Sequence, residues 1–472
     1  PPFADIRETL GYLCDTHRYI YANLEADEFL WATSMPCLLS GEANIPVAQY
    51  GDSNAGRMKT IYRDGLGLRY GKSMQVIAGV HFNFSFPDSF WRACRDLSSA
   101  STELPHEAFV SDQYFQLTRN LLRYGWLVPY LFGASPAVCQ SFLGGRPVPP
   151  NMDVFNSTTY YERFGTSLRL GDIGYQNKKE GDAGIQMSYA DVDSYAACLY
   201  DALTRPHDKF KRLGLKKDGI HQQLSTNLLQ IENEYYSSVR PKQVPHGDEM
   251  PMLALLRRGV RYIELRSLDV NAYDPLGINE EQVRFIETLM LFCLCQDSPQ
   301  LTPGERERID LNLNAVAHRG RAPGATIHTC TRGEVPLRDY GLELLDVMHA
   351  VAGLLDQVHG EHLYQAAVDA QRQKFEDANL TPSALMLAEM HDRDEAFFEF
   401  ALRKSKEHQR FFMQQPARNL GEHQQAAQAS LAEQGRIDAE PRVPMDDYLQ
   451  RYFSQLQSPE LDGFRRRVSE TL

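Results

Sequence analysis

Three short segments in the first 270 residues alternate apolar and polar side chains, which predicts β-strands with one buried face. They are GVHFNFSF (79–86), TSLRL (166–170) and RYIELRS (261–267). Their polar faces carry imidazole, amide, guanidinium and carboxylate groups, supplied by His81, Asn83, Arg169, Glu264 and Arg266. Strands of this kind are typical of an antiparallel sheet that helices cover on one side only.

Helical spacing of apolar residues predicts helices elsewhere in the chain. The pattern covers residues 1–25, 111–133, 189–204 and 250–260. It then dominates from about residue 278 to the end of the chain. Strands in the first part and helices in the second favour an α+β fold over an alternating α/β fold. We therefore expect a sheet-containing region over residues 1–340 and a helical region over residues 341–472 that packs on it.

Residues 49–73 combine five glycines with five basic side chains in an otherwise acidic chain. Because glycine lets the backbone approach a ligand closely, we expect a loop that covers anionic groups. A flexible surface loop is the plain alternative. The chain contains no GxxxxGK[ST] motif, and no GxGxxG opens a helix after a strand. P-loop and Rossmann nucleotide sites are therefore not expected.

A third polar segment, LLQIENEYYSSVRPK (228–242), follows an apolar run. It places Asn233 and Glu234 directly before two tyrosines, Tyr235 and Tyr236. This density of polar and aromatic groups fits either the exposed end of a strand or the wall of a binding site. The residues alone leave both interpretations open.

Composition narrows the class of protein. The 472 residues carry a formal net charge of −13, which argues against general nucleic-acid binding because phosphate neutralisation needs a basic surface. No run of the sequence approaches the roughly 20 apolar residues of a membrane span. The eight cysteines form no CxxC pair, which favours a reducing, cytoplasmic setting.

The side chains on the polar strand faces indicate a chemistry. Glu264 and His81 are ligand types that Mg²⁺ or Mn²⁺ accepts, and arginine binds phosphate or carboxylate groups through two parallel hydrogen bonds. Together they predict a metal–phosphate site. The alternative is a solvated sheet face on which Glu264 and Arg266 form a surface ion pair.

Seven segments extend this picture through a resemblance. In chain order they are SMPCLLSGE, QYGDSNAGRMKTIYRDGLGLRYG, GVHFNFSFPDSFW, YGWLVPYLFGASPAVC, TSLRLGDIGY, LLQIENEYYSSVRPKQ and YIELRSLDVNAYDPLGI. Together they closely resemble the proteobacterial type of glutamate–cysteine ligase (γ-glutamylcysteine synthetase). The likeness is strong over residues 1–300 and looser in the helical C-terminal part.

The resemblance implies an ATP- and Mg²⁺- (or Mn²⁺-) dependent ligase with a glutamine-synthetase-like antiparallel sheet that is curved into a funnel. In this family, ATP phosphorylates the γ-carboxylate of glutamate, and the amine of cysteine attacks the acyl phosphate. γ-Glutamylcysteine, ADP and phosphate leave, which is the first step of glutathione biosynthesis. We expect a cytoplasmic monomer whose partners are these small molecules.

The resemblance also assigns roles to individual residues. Glu264 and His81 match magnesium ligands, and Arg266 matches the arginine near the transferred phosphoryl group. Asn83 matches a position near the nucleotide, and Arg169 matches an arginine that holds substrate at the acceptor site. The matched positions around the cysteine pocket are Tyr62, Leu66, Tyr175, Tyr236 and the polar Asn233.

The sequence departs from the family pattern in one respect. Family members carry several dozen residues before the point that matches Pro1, including a strand with closely spaced glutamates that supply metal and glutamate contacts. We expect this sequence to be part of a longer, intact enzyme, since taken alone it is short of metal ligands and leaves a sheet edge open. The alternatives are a non-catalytic nucleotide-binding or regulatory chain and another γ-glutamyl ligase of the same fold.

Overall fold

The computed structural model of the protein describes residues 2–97, 104–174, 185–414 and 419–471. Its helices are α1 (Ile6–Tyr21), α2 (Asn54–Tyr70), α3 (Asp88–Leu97), α4 (His106–Tyr124), α5 (Leu127–Phe132), α6 (Gln140–Leu143), α7 (Val192–Thr204), α8 (Asp208–Leu213), α9 (Pro251–Arg258), α10 (Glu280–Cys295), α11 (Pro303–Arg319), α12 (Leu337–His359), α13 (Leu363–Glu376), α14 (Pro382–Arg393), α15 (Phe397–Gln414), α16 (Leu420–Asp438), α17 (Met445–Ser454) and α18 (Asp462–Thr471). Its strands are β1 (Val80–Phe84), β2 (Ala137–Cys139), β3 (Asp153–Asn156), β4 (Thr159–Tyr161), β5 (Lys216–Lys217), β6 (Ile220–His221), β7 (Val239–Lys242), β8 (Tyr262–Leu268), β9 (Thr326–Thr329) and β10 (Gly333–Pro336).

Strands β1, β8 and β7 form the central sheet in that order, and both pairs run antiparallel. Strands β2, β4 and β3 form a second antiparallel sheet, and two hairpins complete the strand content of the described residues. Burial alternates along β8, where Ile263 and Leu265 are buried and Tyr262, Glu264 and Arg266 are half-buried. The alternation predicted for residues 79–86 and 261–267 is therefore confirmed.

Helices cover the apolar face of the central sheet. α4 contacts β7 and β8, α5 contacts β8, and α10 packs on α4. In the core, Ile263 and Leu265 belong to one cluster with Phe115, Leu131 and Phe285. The opposite face of the sheet carries polar side chains, as expected for a sheet with one covered side. The predicted α+β class is confirmed.

The C-terminal helices extend the same core. α12 and α13 pack on each other and on α10, and their residues Leu345 and Tyr364 join the cluster that contains Ile263. Within the described ranges, every helix is too short or too polar to pass through a bilayer.

Residues 54–70 form a helix, α2, where the sequence predicted a loop. Ser53 caps the N-terminus of α2 by accepting a hydrogen bond from the backbone N–H of Gly56 (3.1 Å), and Gly71 ends the helix at φ 90°. Gly56 is required by packing, because a Cβ there would lie 2.2 Å from the carbonyl oxygen of Tyr50. The prediction is wrong because a glycine costs a helix only about 1 kcal/mol, which tertiary contacts offset.

The predicted strand over residues 166–170 is also wrong. This segment forms turns after a single bridge between Ser135 and Ser167. Both Leu168 and Arg169 are fully buried, so neither face of the segment is polar and solvated. The alternation misled because a buried polar side chain can find partners inside the protein, which the sequence pattern does not reveal.

Candidate active site

Antiparallel pairing gathers charged and polar side chains on the open face of the central sheet. Asn83 and Arg240 both pair with Glu264, one from each side, and Lys242 pairs with Tyr262. Directly opposed residues of antiparallel strands project to the same face. This polar sheet face therefore consists of His81 and Asn83 from β1, Arg240 and Lys242 from β7, and Tyr262, Glu264 and Arg266 from β8.

Glu264 lies at the centre of the polar sheet face. Its Oε1 is 3.4 Å from His81 Nδ1, and its Oε2 is 3.7 Å from Lys242 Nζ and 3.7 Å from Arg266 Nε. Burial alone would raise the pKa of Glu264, but the hydrogen bond with His81 and the neighbouring cations outweigh burial. The pKa of Glu264 is lowered to about 2, so this carboxylate is ionised at neutral pH.

Positive charge exceeds negative charge on this face. Burial lowers the pKa of Lys242, and the charges of Arg240 and Arg266 lower it further, while Glu264 opposes them. A bound anion would stabilise the protonated form of a lysine that is crowded in this way. Three cationic side chains around one carboxylate are thus suited to bind a polyanion such as a phosphate chain.

The guanidinium of Arg266 lies beside one aromatic ring. Its Cζ lies 5.3 Å from the centroid of the Tyr236 ring, and Tyr236 packs against Leu170 and Ala317. Tyr62 approaches from α2: burial raises its pKa, and the charge of Arg266 opposes the rise. The structure therefore brings two of the predicted pocket tyrosines to the edge of the polar sheet face.

The three other predicted pocket residues are Leu66, Asn233 and Tyr175. Leu66 is buried one turn after Tyr62 on α2. Asn233 is exposed in a 3₁₀ turn (Glu232–Glu234), where its carbonyl oxygen accepts a hydrogen bond from Arg240 (3.2 Å). Tyr175 lies outside the described residues.

Arg169 is fully buried next to the central sheet. Its Nε donates to Asp269 Oδ1 (2.6 Å), and both terminal nitrogens lie 3.3 Å from the backbone carbonyl oxygen of Arg266. Asp269 also accepts hydrogen bonds from the hydroxyls of Ser135 and Ser167. Arg169 therefore contacts the backbone of the strand that carries Arg266 and Glu264, and Asp269 holds its guanidinium in place.

A cleft of about 1010 Å³ lies beside this region and is lined by Tyr236, residues 186–190 and residues 300–314. Its volume is at the upper end of the range found for small-molecule sites. Leu170, which packs on Tyr236, also lines the cleft.

Sequence reasoning missed Arg240 and Lys242. The signal was present, because the two basic residues are spaced two apart in VRPK and therefore share a strand face. Pro241 between them obscured it, since proline argues against a central strand. β7 is an edge strand of the central sheet, where proline is tolerated.

The metal-binding side chains on the polar sheet face fit a metal–nucleotide complex better than a metal ion alone. In the described part of the chain, no three His, Cys, Asp or Glu side chains lie close enough together to form a metal site. Glu264 and His81 offer one carboxylate and one imidazole. A magnesium ion there would take its remaining ligands from phosphate oxygens and water, as Mg²⁺ commonly does.

Comparisons with known proteins point to one family of enzymes. The profile of the glutamate-cysteine ligase family matches residues 1–316. The glutamate–cysteine ligase of Pseudomonas paraeruginosa is 44% identical over 455 residues, which is 96% of this chain and 84% of that protein. The enzyme of Saccharophagus degradans is 40% identical over 462 residues, 97% of this chain and 86% of its own length.

Solved structures give the same result. The crystal structure of glutamate–cysteine ligase from Francisella tularensis in complex with AMP matches with a TM-score of 0.88 and 33% identity, over 97% of this chain and 88% of that one. A bifunctional glutathione synthetase from Pasteurella multocida shares the fold, with a TM-score of 0.64 at 21% identity over 87% of this chain and 46% of that one. The predicted ligase activity is confirmed, and a non-catalytic binding chain is not favoured. With relatives of this name aligned along nearly its whole length, the chain belongs to the glutamate–cysteine ligase family.

Proposed function

We propose that the polar sheet face is where ATP phosphorylates the γ-carboxylate of glutamate, before the amine of cysteine displaces the phosphate. The observation that carries this assignment is Glu264, a single carboxylate among three cationic side chains. The related enzyme of Francisella tularensis was crystallised with AMP, which supports a nucleotide site in this fold.

Arg266, Arg240 and Lys242 would bind the phosphoryl group during transfer. Catalysis of phosphoryl transfer rests on positioning and on neutralising the charge that spreads over the phosphoryl oxygens. These side chains are held on two neighbouring strands, so little reorganisation is needed when the charge develops. Asn83, which pairs with Glu264 from the other side, would lie near the nucleotide.

Glu264 and His81 would hold Mg²⁺, or Mn²⁺ in its place. When bound, the metal would neutralise phosphate charge and orient the nucleotide. The surplus of cationic side chains makes metal binding dependent on the nucleotide, because a bare dication would be repelled. We therefore expect weak binding of Mg²⁺ alone and much stronger binding of the Mg²⁺–ATP complex.

Cysteine would bind between α2 and the segment that ends at Tyr236. Tyr62, Leu66 and Tyr236 would form its walls, with Asn233 at the edge, and we refer to this space as the acceptor pocket. An acyl phosphate is prone to hydrolysis, so a pocket walled by aromatic and aliphatic groups protects it by excluding water. Arg169, assigned to the acceptor side by resemblance, would act by fixing the backbone of Arg266.

Three further features remain predictions. These are a monomeric state, a cytoplasmic location and a division of the chain near residue 340.

A coupled assay of ADP release tests the assignment in the full-length protein. Glu264→Gln should lower kcat by about 100-fold or more, because it removes a charge aimed at the reacting groups. Glu395→Gln is the matched control, since Glu395 lies in the turn between α14 and α15 and is ion-paired with Arg403. ADP release should require glutamate and cysteine together. Wild-type turnover in Glu264→Gln would refute the assignment.

A further inference from the structure

The two walls of the acceptor pocket are joined behind it by one buried carboxylate, Glu234. One wall is α2, which carries Tyr62 and ends with Arg69 and Tyr70. Arg69 Nη1 donates to Glu234 Oε1 over 2.8 Å, and the Tyr70 hydroxyl donates to the same oxygen over 2.9 Å. The side chains of Arg69 and Glu234 are both 0% exposed.

The other wall is the turn that leads to Tyr236, two residues after Glu234. The second carboxylate oxygen of Glu234 accepts the backbone N–H of Gln230 over 2.8 Å. Glu234 thus closes its own turn and binds the end of α2 with the same carboxylate. Two segments that are 165 positions apart in sequence are held at a fixed distance.

Arg69 cannot easily move to follow a displaced partner. Its remaining nitrogens donate to Gln223 Oε1 (2.9 Å) and to the carbonyl oxygen of Ser225 (2.6 Å). Its guanidinium also lies 4.0 Å from the centroid of the Phe210 ring. A guanidinium bound on several sides acts as a rigid support.

A close backbone contact accompanies the ion pair. Gln230 Nε2 donates to the carbonyl oxygen of Tyr62 over 3.4 Å, and Gln230 Oε1 accepts from the backbone N–H of Leu224 over 2.9 Å. A Cβ at Gly65 would lie 2.1 Å from this same Oε1. Gly65 therefore allows α2 to approach the turn as closely as it does.

We propose that Glu234, with Arg69 and Tyr70, is a positioning element that sets the width of the acceptor pocket and thereby selects a small amino-acid acceptor. Glu234 acts through Tyr62 and Tyr236, so the inference rests on the proposed acceptor pocket. Small displacements matter here, because a shift of about 1 Å can cost up to 100-fold in rate. A hydrophobic pocket discriminates one methylene group by roughly 10–200-fold.

The first test is Glu234→Gln, with Tyr70→Phe as a milder change that keeps the ion pair. Glu234→Gln should raise KM for cysteine about tenfold and leave KM for ATP within about twofold. The preference for cysteine over the longer acceptor methionine, measured as a ratio of kcat/KM values, should fall about tenfold. Tyr70→Phe should shift both quantities in the same direction by a smaller factor.

Gly65→Ala is a second test that leaves every charge in place. The added methyl should push α2 away from Gln230 and produce the same changes in KM for cysteine and in acceptor preference. Gly67→Ala is the matched control, because a Cβ there would meet the flexible side chain of Lys72 first, at 2.9 Å. Gly67→Ala should behave like the wild type. If Glu234→Gln does not fold, Gly65→Ala and Tyr70→Phe decide the question.

Two outcomes would overturn the proposal. Unchanged acceptor preference in Gly65→Ala and Tyr70→Phe would refute the positioning role. An equal rise in the KM values for cysteine, ATP and glutamate would refute it as well. Tyr62→Phe and Leu66→Ala separate this failure from a failure of the acceptor pocket itself. If those two variants leave KM for cysteine unchanged, both the pocket and the positioning role are wrong.

Discussion

Glu234 and Glu264 are two carboxylates beside arginine side chains, and they differ in distance, exposure and charge balance. Glu234 accepts a hydrogen bond from Arg69 at 2.8 Å, and neither side chain is exposed. Glu264 is 14% exposed, and its nearest cationic nitrogens, on Lys242 and Arg266, both lie at 3.7 Å. Glu234 is bound closely by one cation, Arg69, whereas Glu264 lies among three cationic side chains.

This difference separates a structural ion pair from a binding site. A buried pair with every lone pair satisfied is costly to break and leaves no room for a ligand. Long contacts with a surplus of one charge leave hydrogen-bonding capacity for a group of the opposite charge. The acceptor side of the site is thus fixed by a completed cluster, and the phosphoryl side remains available for ligands.

Removing each carboxylate in turn should give the largest contrast. Glu234→Ala leaves Arg69 charged in the interior, so we expect a loss of roughly 3–5 kcal/mol in the free energy of unfolding. Glu264→Ala should change it by only about 1 kcal/mol, because its partners reach solvent. Urea denaturation of both variants measures the difference. Similar losses would contradict the distinction drawn between the two clusters.

Lys242→Met should separate activity from stability on the polar sheet face. We expect kcat/KM for glutamate to fall about 100-fold, because a charge that neutralises the phosphoryl group is lost. The unfolding free energy should stay equal or rise, since burial and the neighbouring Arg240 and Arg266 already lower the pKa of Lys242. Arg69→Met, the matched variant at the other cluster, should instead destabilise the protein. A destabilised Lys242→Met would remove the contrast.

The sheet face could be predicted from sequence because strand periodicity is local. The alternation of Ile263 and Leu265 with Tyr262, Glu264 and Arg266 determines which side chains share a face. The partner strand β7 was harder to place in this way, since Pro241 interrupts the alternation of apolar and polar residues. Periodicity therefore located one half of the charged face and missed the other.

The acceptor side was harder to predict because its contacts are long-range. α2 contains glycines that argue against a helix, and at Gly65 the reason is the close approach of Gln230, far along the chain. The Arg69–Glu234 pair joins positions 165 residues apart. No local pattern distinguishes this pair from ordinary surface charges. Family resemblance indicated the pocket residues, and tertiary structure was needed to find what holds them.

Lowering the pH should weaken the interactions of Glu264 with its cationic neighbours over a defined pH range. The pKa of Glu264 is lowered from 4.5 to about 2, so its contribution to stability is complete above pH 4.5 and is lost as pH falls towards 2. Between pH 4.5 and 3.5 the wild type should lose about 0.5 kcal/mol more than Glu264→Gln, which does not titrate there, because solvent screening reduces the contribution of this partly exposed carboxylate. Chemical denaturation of both proteins at these pH values measures the gap. A gap that is constant with pH would contradict the lowered pKa.

Raising the salt concentration should produce the smallest difference between the Glu264 and Glu234 clusters, because salt screens exposed charges more than buried ones. Raising NaCl from about 50 to about 200 mM should weaken Mg²⁺–ATP binding by about fivefold, as the phosphates meet partly exposed cations. The coupling energy between Arg69 and Glu234, from a double-mutant cycle on unfolding free energy, should stay constant within about 0.3 kcal/mol. Calorimetric titration and urea denaturation supply the two quantities. If the coupling weakened with salt as much as nucleotide binding does, water and ions would have access to Glu234, and the pair could not set the width of the acceptor pocket.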